Sequence, residues 1–472
     1  MKHYLGIDLG TTGTKTLLFN EKGEVLGKGY QGYGLITPED NIYEQSPTAW
    51  YDAVIETVKL ATADFKGEIT GLSVSAQGGS FTFCDIDEKG DLIPLTNALT
   101  WMDKRAGVEA EELKEAVAKI SNSKLGPGSV LAKILWIKKH KPEVIERTKL
   151  VLSTSDFVYY KMTGKAVIDY TSAAMMAAFD NDKLCWNEEL LNLVGLSKSQ
   201  LPAILTAGEL IGVANDDFLS KTGLKGDVKV YCGLHDQFAA SLGANYFESG
   251  NLIVSTGTTW VVFARHQDKK SGIFAARRHP DGGYGYFNSA ISSGVVLEWT
   301  KNTYGIPYKE IDALSELRPI DENLMVFPFI SGNGNYRGVN RLSYSIEGAS
   351  FKHEKGDIFR ATMEGVAFEI KYIVDAYRNA GFDIQNVIVT GGATRSNIWM
   401  QILSDVLGEK LYLSEQADGC CFGAYSVAKK GDEGSYERFD FTGKTVEPNM
   451  ENNKIYANKF IKYNQILQSK GE

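Results

Sequence analysis

Asp8 stands inside an apolar run, Tyr4-Leu5-Gly6-Ile7-Asp8-Leu9, where an acidic side chain costs free energy unless something pairs with it. Gly10-Thr11-Thr12-Gly13-Thr14 follows at once. The glycines let the backbone approach a ligand closely, and the amides and hydroxyls of Thr11, Thr12 and Thr14 can all donate to phosphate oxygens. A carboxylate at a strand end can hold Mg²⁺ through water, so the chemistry suggested is the binding of a metal-chelated polyphosphate. The bland alternative is a hairpin with a threonine-rich turn. The pattern recurs as Ser255-Thr256-Gly257-Thr258-Thr259 after a second apolar run. A second acid, Asp236, lies in Gly233-Leu234-His235-Asp236-Gln237, where a strand pattern meets an alanine-rich helix pattern. Capping that helix is its simplest role, and accepting a proton is a second role compatible with the first.

The elements that must hold these residues can be read from periodicity. Strands are expected at Tyr4 to Ile7, Thr16 to Phe19 and from Val25, with hairpin-turn chemistry at Asn20-Glu21-Lys22-Gly23-Glu24. Ser46-Pro47 opens a helix whose Trp50, Val54, Ile55 and Val58 share a face. The strand Ile69 to Ser75 delivers Ala76-Gln77-Gly78-Gly79-Ser80 to a loop, and Lys225 to Tyr231 delivers His235 and Asp236. Further on, a strand at Val387 to Thr390 meets Gly391-Gly392, where paired glycines before a helix start allow the backbone to lie against a flat or anionic group. A strand and Gly-Thr turn in each half point to two related domains serving one ligand.

Composition sets the outer limits. With 472 residues, 43% of them hydrophobic, the chain can bury a large core and divide into two or three domains. A net charge of -9 argues against a nucleic-acid or anionic-membrane surface, which needs clustered Lys and Arg. The cysteines, Cys84, Cys185, Cys232, Cys420 and Cys421, are odd in number and form no CxxC pair, so they read as free thiols in a reducing cytoplasm. No transmembrane-length apolar stretch is present, and a homodimer is one assembly compatible with the sequence.

Together these motifs resemble the FGGY family of carbohydrate kinases, of the actin, Hsp70 and sugar-kinase superfold, essentially from end to end. The Asp8 to Thr12 turn alone is equally like an Hsp70 nucleotide domain. The specific part is the combination of Trp50 after a Pro, the Trp101-Asp103-Arg105 cluster, Asp236 before its helix, Ser255 to Thr259, and Val389 to Gln401. The resemblance implies an α/β protein of two ribonuclease-H-like domains flanking a catalytic cleft. Residues 1–245 would form the sugar-binding domain and 246–472 the nucleotide-binding domain. It implies ATP and Mg²⁺, with Asp8 and Asp236 as catalytic and metal-facing acids and Asp236 as general base. Gly10, Thr11, Thr12, Gly13 and Lys15 would serve the phosphates, as would Gly257 and Thr258, while Gly391, Gly392 and Ser396 would lie on the adenosine side.

A sugar hydroxyl is a poor nucleophile, and a carboxylate that takes its proton as phosphoryl transfers is worth about 10²- to 10⁴-fold. The acceptor expected is a small sugar, most readily a ketopentose such as xylulose, with L-fuculose, L-rhamnulose, ribulose and glycerol as alternatives. Gln77, Gly78, Trp101, Asp103, His235 and Gln237 are the candidate sugar contacts, with Trp101 equally readable as core. Gly78 and Gly79 are expected to leave room for the substrate. The rivals from other classes are a chaperone-like or actin-like ATPase and a sugar sensor without catalysis.

Overall fold

The computed structural model describes residues 1–121, 125–244, 250–270, 275–316, 318–333, 335–337, 342–414, 418–436 and 443–471. The chain divides into two compact units. One comprises Met1–Gly243, Arg277–Pro280 and Gly419–Arg438, and the other Ala244–Ala276, Asp281–Asp418 and Phe439–Glu472.

In the first unit, β1 (His3–Leu9), β2 (Gly13–Asn20) and β3 (Val25–Gly32) form an antiparallel meander. β4 (Gly71–Ala76) joins β1 in parallel, and β5 (Lys229–His235) joins β4 in parallel, giving the order β3-β2-β1-β4-β5. Side chains along β1 alternate between faces. Leu5, Ile7 and Leu9 enter a core with Trp50, Val54 and Val58 of the helix Pro47–Thr62. Tyr4, Gly6 and Asp8 face the other way. There the helix Gly419–Glu433 lies so close that a Cβ on Gly6 would stand 2.0 Å from the Cys421 carbonyl oxygen. Asp8 therefore shares its face with a helix whose sequence position is more than 400 residues away.

The second unit repeats the plan. β6 (Asn251–Thr256) and β7 (Trp260–His266) are antiparallel, β7 pairs with β8 (Tyr284–Ala290), and β9 (Asn386–Gly391) lies parallel to β6 with β10 (Leu411–Leu413) parallel beyond it. The order is β8-β7-β6-β9-β10, the same five-strand arrangement as before. Trp260 and Trp399 stack at 4.6 Å within its core, beneath the helix Lys355–Asn379. Truncating Trp50 or Trp260, each fully buried, to Ala costs about 3–5 kcal/mol.

Most expected elements form, with shifts at their ends. The pattern from Asn288 to Tyr304 reads as one helix in sequence, but Tyr284–Ala290 is a strand and the helix begins only at Gly294. Gly164 ends the helix Thr154–Thr163 in the left-handed conformation, as its position suggests. In the last helix, Met450–Gly471, Tyr456 and Tyr463 are buried while Ile461 is exposed.

Candidate active site

In open α/β sheets, ligands bind outside the carboxyl ends of parallel strands. In the first unit those ends are aligned: Asp8 is level with Ser75, and Ser75 with Leu234, so Asp8 and the Asp236 segment lie two strand spacings apart, about 10 Å. The alignment of β5 depends on a bulge. Ser73 faces Tyr231 but Ser75 faces Leu234, which leaves one extra residue on β5. Gly233 supplies it, since a Cβ there would stand 1.8 Å from the Val74 carbonyl oxygen. The amide this frees donates to the Tyr159 hydroxyl at 2.8 Å, and that hydroxyl donates to Val74 O at 3.3 Å. Bulges re-aim the side chains that follow them, here His235 and Asp236.

Asp236 opens the helix Asp236–Gly243, and its side chain keeps 28% of its surface exposed. Burial pushes its pKa up to about 6, opposed by hydrogen bonds from the Gln237 backbone and side chain. Oδ1 receives no well-formed hydrogen bond, although His235 Nε2 lies 3.3 Å away. His235 is buried and its pKa falls to about 3, from desolvation first and the Arg277 charge second, so the imidazole is neutral. Its Nδ1 accepts from the Gln237 amide at 3.3 Å, which leaves the proton on Nε2, toward Asp236. The His235 amide donates to Thr171 Oγ1 at 2.9 Å, and the Thr171 hydroxyl and amide both donate to buried Asp169. His235 is thus a buried neutral imidazole held beside the Asp236 carboxylate.

On the Asp8 side, Ser75 donates to Oδ1 at 2.9 Å. Lys15 is the cross-strand partner of Asp8. The partly buried Cys420 thiol lies within electrostatic reach of both Asp8 and Asp236. Burial, then those two charges, raise its pKa well above the ordinary range. Its Sγ is 3.6 Å from the Asp236 carbonyl. One side chain therefore adjoins both acids, and the start of a helix, a favourable place for anions, lies beside them.

The turn between β1 and β2 is closed by the Gly10 amide on Gly13 O at 3.0 Å and braced by the Tyr33 hydroxyl on Gly10 O at 2.5 Å. Tyr33 also donates its amide to Thr12 O. Buried Gln45 links the turn to the sugar candidates: its Nε2 donates to Thr11 O at 2.6 Å, and its Oε1 accepts from Gln77 at 2.9 Å and from Trp50 at 3.1 Å. Gln77 is 3% exposed and its Oε1 has no partner, an acceptor waiting for a donor. Trp101 is not core. It is 48% exposed, and its indole N–H donates to Thr11 Oγ1 at 3.0 Å.

Two expectations need revision in detail. The space over Gly78 is already filled, because a Cβ there would stand 2.4 Å from the His235 ring and 2.7 Å from Met175 Cγ. Asp103 is fully buried and engaged. Arg105 donates to both of its oxygens at 2.7 to 3.2 Å while bridging to Glu44, and the Tyr43 amide donates to Oδ2. Its immediate effect is to pin the Trp101 segment. Gln45, Tyr33, Ser75, Met175, Tyr159 and Cys420 were not singled out from sequence. Only Ser75, polar in an apolar strand, and Gly233, a glycine inside a strand pattern, carried a readable signal.

The second unit places its glycines at the equivalent strand ends. Gly257 and Thr258 are exposed after β6, and the Val295 amide at the start of the helix Gly294–Tyr304 donates to Thr258 O at 2.9 Å. Gly391 takes φ +98°, with the Thr256 carbonyl oxygen 2.2 Å from where its Cβ would lie, so packing alone demands glycine there. Gly392 faces open space to 4.0 Å. Ser396 caps the helix Asn397–Leu407 by accepting from the Trp399 amide, and its hydroxyl donates to Asp312 at 2.7 Å.

Among the described residues no three His, Cys, Asp or Glu side chains converge on a point that could hold a metal. Mg²⁺ arriving with a nucleotide keeps its waters and binds through one or two carboxylates and the phosphates. Asp8 and the partly exposed Asp236 are the groups that would hold it.

Comparison with known proteins agrees with this geometry. Residues 3–243 match the N-terminal domain model of the FGGY family of carbohydrate kinases, and residues 252–429 match its C-terminal domain model. The chain is similar to a xylulose kinase of Bacillus subtilis, 27% identical over 99% of this chain and 97% of that one. It is also similar to a gluconokinase of Bacillus licheniformis, 27% identical over 89% and 86%. Among solved structures, a xyloylose kinase from Brucella ovis superposes with a TM-score of 0.91 at 25% identity, covering 99% of each chain. The chain belongs to the FGGY family of carbohydrate kinases, enzymes that phosphorylate sugars with ATP.

Proposed function

We propose that this kinase transfers the γ-phosphoryl group of MgATP to a hydroxyl of a ketopentose such as xylulose, with Asp236 as general base. The observation that carries the reading is the state of Asp236: its side chain is part exposed at the helix start, and burial raises its pKa to about 6. Such a carboxylate is ionised at neutral pH, yet it is a better base than an ordinary aspartate. The sugar oxygen bonds to the γ-phosphorus as its proton passes to Asp236, the bond to the bridging oxygen breaks, and ADP leaves. Neutral His235 and Gln237 hold the carboxylate without supplying a competing cation. Asp8 would hold Mg²⁺, which supplies charge neutralisation to the phosphates, while Lys15 and the turn from Thr11 to Gly13 would orient them. In the second unit Gly257 and Thr258 would take terminal phosphates and Gly391-Gly392 the adenosine.

Gln77 Oε1 and the exposed Trp101 face are the sugar contacts we infer. Two cations near this face are already engaged, which favours a neutral sugar over an acid such as gluconate. Arg105 is bound to Asp103 and Glu44, and Lys133 is buried on two carbonyls. No helix among the described residues is long and apolar enough to cross a membrane, and the cytoplasm is the compartment this ATP chemistry suits. A panel of xylulose, ribulose, L-fuculose, L-rhamnulose, gluconate and glycerol with MgATP, read by ADP release, should show the highest kcat/KM for xylulose. Preference for gluconate or glycerol would overturn the substrate assignment, and sugar-independent ADP release would overturn the kinase reading of Asp236.

A further inference from the structure

We infer that Lys133 is a positioning residue for the sugar face, clasping the carbonyls of Gly79 and Thr100 and so fixing the two loop tips that present Gln77 and Trp101. The inference rests on the sugar face proposed above. Lys133 lies in the helix Val130–His140 and is fully buried, a costly place for an amine when an aliphatic side chain would pack there. Its Nζ donates to Thr100 O at 2.8 Å and to Gly79 O at 3.2 Å, and lies 5.5 Å from the Phe81 ring centroid.

Those carbonyls belong to two different loops. Gly79, in a left-handed conformation at φ +71°, ends the Gln77-Gly78 tip, and Thr100 immediately precedes Trp101. The loops are otherwise joined near this point by the Trp101 amide on Ser80 Oγ at 3.1 Å and by the antiparallel pairing of Phe81 with Leu99. Trp101 then reaches Thr11 in the phosphate turn, so a shift of either tip would move the indole. Burial pushes the Lys133 ammonium down to about 7, with Asp103 opposing and Arg105 reinforcing the fall. A neutral amine still carries two N–H groups, matching the two carbonyls, so the clasp holds whether or not the third proton is present. Without it the buried Gly79 carbonyl loses the donor on it and Thr100 O keeps only the Asp103 amide at 3.1 Å, and the Gly79 tip can relieve that only by moving.

The test uses steady-state kinetics of the full chain with xylulose and MgATP varied in turn. Lys133→Met should raise the xylulose KM about tenfold, about 1.4 kcal/mol, with the MgATP KM changed by less than about twofold. Lys133→Gln, which keeps an N–H donor, should recover part of the loss. Trp101→Phe should also raise the xylulose KM, and the double variant should lose less than the product of the two single effects. If Lys133→Met folds with an unchanged xylulose KM while Trp101→Phe raises it, the clasp is wrong and the sugar face stands. If Trp101→Phe and Gln77→Ala both leave xylulose KM unchanged, the sugar face itself is wrong. Equal loss toward both substrates would mark Lys133 as merely structural. Should the Met variant not fold, the Gln variant decides by the same criteria.

Discussion

The two units share one five-strand order, yet they have been given different chemistry. At matching places β1 and its turn read Asp8-Leu9-Gly10-Thr11-Thr12, while β6 and its turn read Ser255-Thr256-Gly257-Thr258-Thr259. The parallel neighbour is Ser75 in one case and Thr390 in the other. The carboxylate is present only in the first unit. There too the outer parallel strand is bulged at Gly233 to present Asp236, whereas β9 and β10 run in continuous register. A strand-turn-strand with glycine and threonine donates to anions wherever it occurs. At these matched strand ends the units differ in ionisable chemistry, present in the first and replaced by hydroxyls in the second.

The largest expected effect comes from removing the base that the second unit lacks. Asp236→Asn should lower kcat about 10²- to 10⁴-fold with the fold intact, and near-normal turnover would eliminate it as base. The same variant carries a stability signature. A carboxyl whose folded pKa is raised from 3.8 to about 6 penalises the fold fully above about 6 and not at all below the unfolded value. Asp236→Asn should therefore melt higher than the parent at pH 8, the gap closing as pH falls to 4.

The next comparison is direct. Asp8→Asn should cost about 10²-fold in kcat and alter the Mg²⁺ dependence, while Ser255→Ala at the matching position should cost less than about threefold. Comparable losses would show that the units share the metal chemistry. The smallest effect is expected at the bulge. Tyr159→Phe leaves the Gly233 amide unpaired, so stability should fall by about 1–3 kcal/mol and kcat several-fold, with both KM values nearly unchanged. A stability loss with normal kcat would mean that the bulge does not aim Asp236.

Much of this was legible in sequence because local chemistry announced it. The duplicated turns, the acid within an apolar strand and the strand leading to Asp236 all follow from period and residue type. The remainder was fixed by distance in sequence. Nothing in Gly419-Cys420-Cys421 reveals that this helix start lies beside Asp8, because the contact is made through the backbone against Gly6. Gln45 is an unremarkable polar residue until Thr11, Trp50 and Gln77 are brought around it. The filled space over Gly78 was equally hidden, since a glycine pair declares freedom at its own Cα but not which ring from another strand occupies it. Trp101 could be read as core or contact because composition alone does not say which face of an aromatic residue meets water.

The most direct measurement is the pH dependence of kcat/KM for xylulose, with MgATP saturating, in the parent enzyme and in Asp236→Asn. The parent should show an acid limb near pH 6, falling about tenfold per unit below it, because the carboxylate must be ionised to accept the hydroxyl proton, and the variant's residual activity should lack that limb. A limb that persists unchanged in the variant would contradict the assignment of Asp236 as the base.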